Sequence, residues 1–251
     1  MDARNVGFDD NDSICNRNTS SILPNLSRET PMLKALIFDM DGTLVHSDPV
    51  HLSAFAKILA SEGVPIDEEI YRSTIIGRTN EAIFASLLPD RTAAEHEQFA
   101  ERKEAAFRDL ASNLRPLDGL IDLLDWAEAK GLRLALVTNA PRLNADHMLD
   151  AIGIGGRFEV EITIEDVERG KPDPLPYLTA LDRLGVSAEE ALVFEDSPSG
   201  MRAAKAAGLF GFGVLTGLTA DEMTAVGADR TLSDFRDPAL WDILEQRHKA
   251  D

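Results

Sequence analysis

The sequence predicts a doubly wound α/β fold carrying one helical insertion, and three observations carry that prediction. Short, continuously apolar runs recur along the chain, as strands of a parallel sheet covered on both faces require. Helix start and stop signals separate the runs. One long interval, 48–115, is helical in pattern and lacks a convincing strand. Strand alternating with helix is how an open parallel sheet with helices on both faces is built.

Taken in order, residues 1–31 stand apart. They are rich in Asn, Asp and Ser without a sustained period, and five acids against three bases separate them from Arg-rich, acid-poor transit peptides. They read as a disordered tail, and Met32, directly before the first strand, leaves a translation start there open. The first strand is "LKALIFD", 33–39. In the insertion, "DPVHLSAFAKILASEG" places Leu52, Phe55, Ile58 and Leu59 on one helical face, and "TNEAIFASLLP" groups Ile83, Phe84, Leu87 and Leu88. Thr92 and Glu95 form a capping box opening a helix that runs to about Ser112. The chain therefore divides into a core domain, 32–47 and 116–251, and a helical cap domain, 48–115.

Within the core, strands are expected at 133–138, 160–164, 191–195 and 211–215, with a weaker one near 230. Ser187 with Glu190 makes a second capping box, and Ser197-Pro198 reads as an N-cap and first helical position. Gly131, Gly153, Gly185 and Gly208 fall where helices should end.

Composition narrows the function. At 251 residues with 44% apolar content, the chain can bury a real core. A formal net charge of -19 argues against a nucleic-acid backbone or an anionic membrane as partner. A small anion can bind only if a metal ion and local cations overcome that field. The single cysteine, Cys15, forms no internal disulfide, which fits a reducing compartment. No run approaches the roughly 20 apolar residues of a membrane span, so a cytoplasmic protein is expected.

The chemistry follows from where strands end. In open α/β sheets ligands bind beyond the carboxyl ends of the strands, so the residues there meet in space. Asp39 ends the first strand, Thr138 and Asn139 the second, and Glu195 and Asp196 the fourth, while Lys171 in "RGKPDP" follows the third. Acids gathered this closely repel one another unless a hard cation joins them, and Mg²⁺ is the natural occupant. With Mg²⁺ and Lys171 neutralising it, Asp39 can attack a phosphate, and Asp41, two residues on, can protonate the leaving oxygen and then activate water.

"DMDGT", "VTN", "GKP" and "FEDSPSG", separated by about 95, 30 and 22 residues, resemble the four motifs of the haloacid dehalogenase superfamily. The resemblance covers residue 32 onward. Cap placement is similar to that of the β-phosphoglucomutase-like subfamily, within which the sequence looks most similar to plant-type sugar phosphatases. The resemblance implies a Rossmann-like core and a phosphatase acting on a small phosphorylated metabolite. It implies Asp39 as nucleophile, Asp41 as acid and base, and Thr138 and Lys171 as the phosphate contacts, with Asn139 expected beside them as a substrate-binding residue. It assigns Mg²⁺ to Asp39, the main-chain carbonyl of Asp41 and Asp196, with Glu195 standing just behind them. Gly77 and Arg78 in "GRTN" are placed like a substrate-specificity loop, and His51 like a substrate contact beside the nucleophile.

Alternatives sharing this pattern stay in view. A true haloacid dehalogenase needs neither Asp41 nor the acid pair, and a phosphonate hydrolase needs a cap lysine such as Lys57 or Lys103 that no local pattern marks. A phosphomutase shares all four motifs, but "TNAPR" stands where mutases carry a Ser-Ala-Ser-Lys-Asn-like run. A catalytically silent binding module predicts loss of the acids, and none is lost. "GLFGFGVLTG" does not spell a dinucleotide fingerprint. An enzyme that closes its cap over its own substrate, hinged near 47–49 and 113–118, needs no partner subunit, so a monomer is expected.

Overall fold

The computed structural model describes residues 31–111 and 114–249. The expected tail lies almost wholly outside them. Six parallel strands form one sheet: β1 (Ala35–Phe38), β2 (Arg133–Val137), β3 (Val160–Ile162), β4 (Ala191–Glu195), β5 (Phe210–Val214) and β6 (Arg230–Leu232), in the order β3-β2-β1-β4-β5-β6. The strand order reverses beside β1, and such a switch point is where an open α/β sheet has its crevice. Phe38 pairs with Leu136 on one side and Phe194 on the other, so Asp39 emerges between the ends of β2 and β4.

The continuous apolarity of the strands has the expected cause. Leu36 and Phe38 enter one core with Leu134, Leu136, Leu192 and Phe194, whereas Ala35 and Ile37 enter a second core with Ala135, Val137, Ala191 and Val193. Alternate residues face opposite layers, and both layers are covered. Phe38, Phe194 and Phe212 stand in register on neighbouring strands, with ring centroids 4.9 and 5.4 Å apart. Such a ladder stiffens the middle of the sheet.

Between β1 and β2 lies the insertion: α1 (Asp48–Leu59), α2 (Glu68–Ile70), α3 (Asn80–Leu87) and α4 (Ala93–Leu110). The core helices are α5 (Leu120–Ala129), α6 (Arg142–Ala151), α7 (Leu175–Leu184), α8 (Pro198–Ala206), α9 (Ala220–Ala225) and α10 (Pro238–His248). The Thr92–Glu95 capping box opens α4, and Ser197 caps α8 by accepting the Gly200 amide. Gly185 ends α7 in the left-handed conformation.

Several expectations need correction. The third strand stops at Ile162, because Thr163 and Asp166 close a capping box on a 3-10 turn, Ile164–Asp166. The Ser187–Glu190 box caps only a 3-10 turn leading into β4, not an α-helix. A π-helical turn, Tyr71–Ile75, follows α2 where the sequence carries no helical period. The expected end of α4 near Ser112 falls on residues outside those described.

Candidate active site

β1 delivers Asp39 into the crevice, and the turn after it brings Asp41 alongside. Lys171, on the loop before α7, is buried and donates to Asp39 Oδ1 at 2.6 Å, Glu195 Oε1 at 2.6 Å and the Val137 carbonyl at 2.7 Å. Its ammonium therefore has three acceptors for three protons. Burial alone would weaken its charge, but Asp39 and Glu195 outweigh that and hold Lys171 above the usual lysine range.

Asp39, Glu195 and Asp196 each offer a carboxylate oxygen within 4.8 Å of the others, and all three are buried. Burial, offset in part by Lys171 and reinforced by Glu195, pushes Asp39 up to about 8. Asp196 is raised well above its ordinary range, first by burial and then by the like charges of Asp39, Glu195, Asp48 and Asp41. A divalent cation among these acids would favour the ionised forms of Asp39 and Asp196, and hard oxygen donors of this kind suit Mg²⁺. Their close approach has a backbone cause. Gly42 has φ +74°, and a Cβ there would lie 2.0 Å from Asp196 Oδ2, so glycine is what lets the turn pass over this carboxylate. The donor set fits the ion that the sequence implied.

Asp41 lives in a different environment. Its Oδ1 accepts from Ser47 Oγ at 2.6 Å and lies 2.8 Å from His51 Nε2. Burial works to raise it, but the charge and hydrogen bond of His51, together with Ser47, hold it below the ordinary carboxylate range. His51 itself stacks on Phe107 of α4, with centroids 4.1 Å apart. The expected substrate contact is thus in direct contact with Asp41.

The other expected positions separate in the same way. Thr138 is buried, lines the crevice and accepts the Ala140 amide on Oγ1 at 3.0 Å. Asn139 also lines it, but its side-chain amide is engaged by Lys171: Oδ1 accepts the Lys171 amide at 2.9 Å and Nδ2 donates to the Lys171 carbonyl at 3.1 Å. These two hydrogen bonds tie the end of β2 to the lysine loop. Gly77 takes φ +69° and accepts on its carbonyl from Ser199 Oγ, seating the insertion against α8. Arg78 donates to the carbonyls of Thr74 at 3.0 Å and Ala82 at 3.1 Å.

Some residues of the site carried no signal that sequence reasoning used. Tyr177 is buried on α7 and donates to Glu195 Oε1 at 2.5 Å, with Lys171 Nζ 5.0 Å above its ring. Burial and the charge of Glu195 push its hydroxyl well above the usual range, so it remains a donor. Ser47 sits at the N-cap position of α1, yet its hydroxyl does not cap the helix. A serine there that leaves the helix uncapped for a carboxylate is visible only in three dimensions. Lys103, Glu104, Asn80 and Asn144 also line the cavity.

Comparison with known proteins agrees with this geometry. The family model described as haloacid dehalogenase-like hydrolase matches residues 33–208. The chain belongs to the haloacid dehalogenase-like hydrolases. It is 36% identical over 210 residues to validoxylamine A 7'-phosphate phosphatase of Streptomyces hygroscopicus subsp. limoneus, covering 81% of this chain and 95% of that protein. It is 35% identical to the phosphorylated carbohydrates phosphatase of Thermotoga maritima, over 70% of this chain and 82% of the relative. Among solved structures it superposes on a Bacteroides vulgatus protein provisionally assigned as a β-phosphoglucomutase, with TM-score 0.76 and 31% identity, covering 88% of this chain and 92% of the other. This haloacid dehalogenase-like hydrolase is a phosphoric monoester hydrolase of the β-phosphoglucomutase-like subfamily. Among its described residues no helix is long and apolar enough to cross a membrane.

Proposed function

We propose that the protein is a Mg²⁺-dependent phosphatase of a small sugar or polyol phosphate, acting through a phosphoaspartate on Asp39. The observation that carries this reading is the split between two neighbouring aspartates. Asp39 is bound to a buried lysine among acids that call for a cation, and Asp41 is held by His51 and Ser47. Two carboxylates in two environments are how a site divides nucleophile from acid and base.

In the first half-reaction an Asp39 oxygen bonds to phosphorus as the bond to the leaving oxygen breaks, and Asp41 supplies the proton which that oxygen takes up. His51 Nε2, 2.8 Å from Asp41 Oδ1, and Ser47 Oγ, 2.6 Å from it, hold that carboxyl in place. In the second half-reaction Asp41, as carboxylate, takes a proton from water, whose oxygen attacks phosphorus and frees Asp39. Asp39, the Asp41 carbonyl and Asp196 would hold Mg²⁺, whose charge keeps Asp39 ionised and draws the phosphate oxygens inward. Lys171 neutralises Asp39 from the other side, and Glu195 and Tyr177 fix the lysine.

The helical insertion, 48–115, acts in this reading as a cap over the crevice. Arg142 supports a phosphatase over the rival mutase. It stands where mutases carry a polar phosphate-holding run, but its guanidinium is bound to Glu161 at 2.8 Å and Asp166 at 2.6 Å. The relatives named as phosphatases of carbohydrate-like phosphates support the substrate class.

The test is phosphate release from a panel of sugar and polyol monophosphates with Mg²⁺ and with EDTA, alongside conversion of β-glucose 1-phosphate to glucose 6-phosphate. Release that requires Mg²⁺ is expected. Isomerisation without net release would make the protein a mutase, and release undiminished by EDTA would remove the metal from the mechanism.

A further inference from the structure

The cavity is lined both by the acids of the core and by polar residues of the insertion. Of the described residues lining it, five are carboxylates, Asp39, Asp41, Asp48, Glu104 and Asp196, and three are Lys or Arg: Lys171, Lys103 and Arg78. Each of the three cations is already engaged. Lys171 serves Asp39 and Glu195. Lys103 lies 2.9 Å from Glu104 Oε1, both side chains buried, with its ammonium 4.8 Å above the Phe55 ring. Arg78 is turned onto the carbonyls of Thr74 and Ala82.

Glu104 is the unusual member of this lining. It is a buried carboxylate on the wall that the insertion contributes to the cavity. Asn80 donates to its Oε1, and Asn144, reaching across from α6 of the core, donates to its Oε2. Arg108 in turn donates to Asn144 Oδ1 at 2.5 Å, outside the lining. Burial opposes the charge of Glu104, but Lys103, His51 and Asn80 outweigh it, and the carboxyl sits below its ordinary range.

The geometry points to Glu104 as a specificity-determining residue that admits phosphomonoesters with a neutral, hydroxylated body and rejects those carrying a second phosphate. Hydroxyls find here a carboxylate that accepts, an ammonium with a proton to give, and two amides. A second phosphate finds there a lysine already neutralised by the carboxylate beside it; Mg²⁺ would offset the acids of the core but leaves Glu104 as a fixed negative charge on this wall. Rejection by an unmatched charge is stronger than selection by added contacts. This inference rests on the phosphatase reading above and specifies its substrate class.

The experiment compares kcat/KM for fructose 6-phosphate and fructose 1,6-bisphosphate in the wild type, Glu104→Gln and Lys103→Gln, with p-nitrophenyl phosphate as a substrate too small to need this wall. The wild type is expected to favour the monophosphate by at least about tenfold, as one poorly screened charge at short range can impose. Glu104→Gln keeps the shape and removes the charge, so the ratio should move about tenfold toward the bisphosphate. Lys103→Gln leaves Glu104 uncompensated, so the ratio should move the other way. Opposite signs separate charge selection from simple damage, which would shift both variants alike. A wild type that prefers the bisphosphate, an unchanged ratio in Glu104→Gln, or shifts of the same sign would each overturn the inference. If Glu104→Gln fails to fold, the wild-type ratio and Lys103→Gln still decide. Failure to release phosphate from any substrate, p-nitrophenyl phosphate included, would instead overturn the phosphatase reading itself.

Discussion

At the scale of single residues, the site separates groups that react from groups that hold them. Asp39→Asn is expected to abolish turnover with the fold intact, as judged by circular dichroism and thermal unfolding. Asp41→Asn should cost a general-acid-sized factor of about 10²–10⁴ in kcat; retention of most activity by Asp39→Asn would refute the mechanism. Tyr177 tests the supporting layer. Its hydroxyl donates to Glu195, which shares Lys171 with Asp39. Tyr177→Phe keeps the ring over the lysine and removes one donor to a buried carboxylate, which should lower stability by about 1–3 kcal/mol in urea unfolding. Because the displaced charge lies behind Lys171, kcat should fall while KM changes little; an equal loss in both would mark a purely structural role. Asp39 and Asp41 were legible because an apolar strand that runs straight into two acids, Gly42 and Thr43 gathers charge where a buried sheet would otherwise exclude it. The pairing of Asn139 with the backbone of Lys171, 32 positions away in sequence, was not legible there.

At the scale of elements, the insertion and the core share one apolar cluster and are tied across the cavity by a few polar contacts. The two connecting segments run side by side: Val45 bridges Pro116, and the Leu117 amide donates to the Leu44 carbonyl at 2.8 Å. This pairing includes part of one expected pivot, 113–118, and lies just before the other, 47–49; residue 113 is outside the described residues. Across the cavity, Ser199 with Gly77 and Asn144 with Glu104 hold the insertion down. Of the two side chains that hold Asp41, His51 lies on α1 of the insertion and Ser47 directly before it, so the position of the insertion and the aim of Asp41 are coupled. Asn144→Ala should therefore populate a more open form. In small-angle scattering the variant should show a larger radius of gyration than wild type, and Mg²⁺ with a phosphate analogue should shrink both. No change in either would show that the insertion does not move. Helix periodicity placed α1 and α3 and a capping box placed the start of α4, whereas the π-helical turn at Tyr71–Ile75 was invisible, because one irregular turn has no period to read.

At the scale of the whole molecule, a net charge of -19 opposes every phosphorylated substrate. The repulsion acts over the Debye length, which shrinks from about 30 Å at 0.01 M salt to about 8 Å at 0.15 M. KM for a sugar phosphate should therefore fall by a few-fold over that range at fixed free Mg²⁺, with kcat steady. A rising KM would show that the local cations, not the overall field, govern capture.

What the sequence by itself determined is the part written locally. Apolar runs specify buried strands, glycines and capping residues punctuate the helices, and acids placed directly after strands mark the end of the sheet where chemistry gathers. The parallel sheet, the helical insertion between β1 and β2, and the set Asp39, Asp41, Lys171, Glu195 and Asp196 all follow from that. What only the tertiary structure decided is which partner each polar group has. Glu104 meets Asn144 across 40 positions of sequence, Lys171 meets Asp39 across 132, and Ser47 gives up a helix cap for Asp41. A polar side chain's role depends on the one neighbour that satisfies it once water is excluded, and burial and pairing of that kind exist only after the chain has closed on itself.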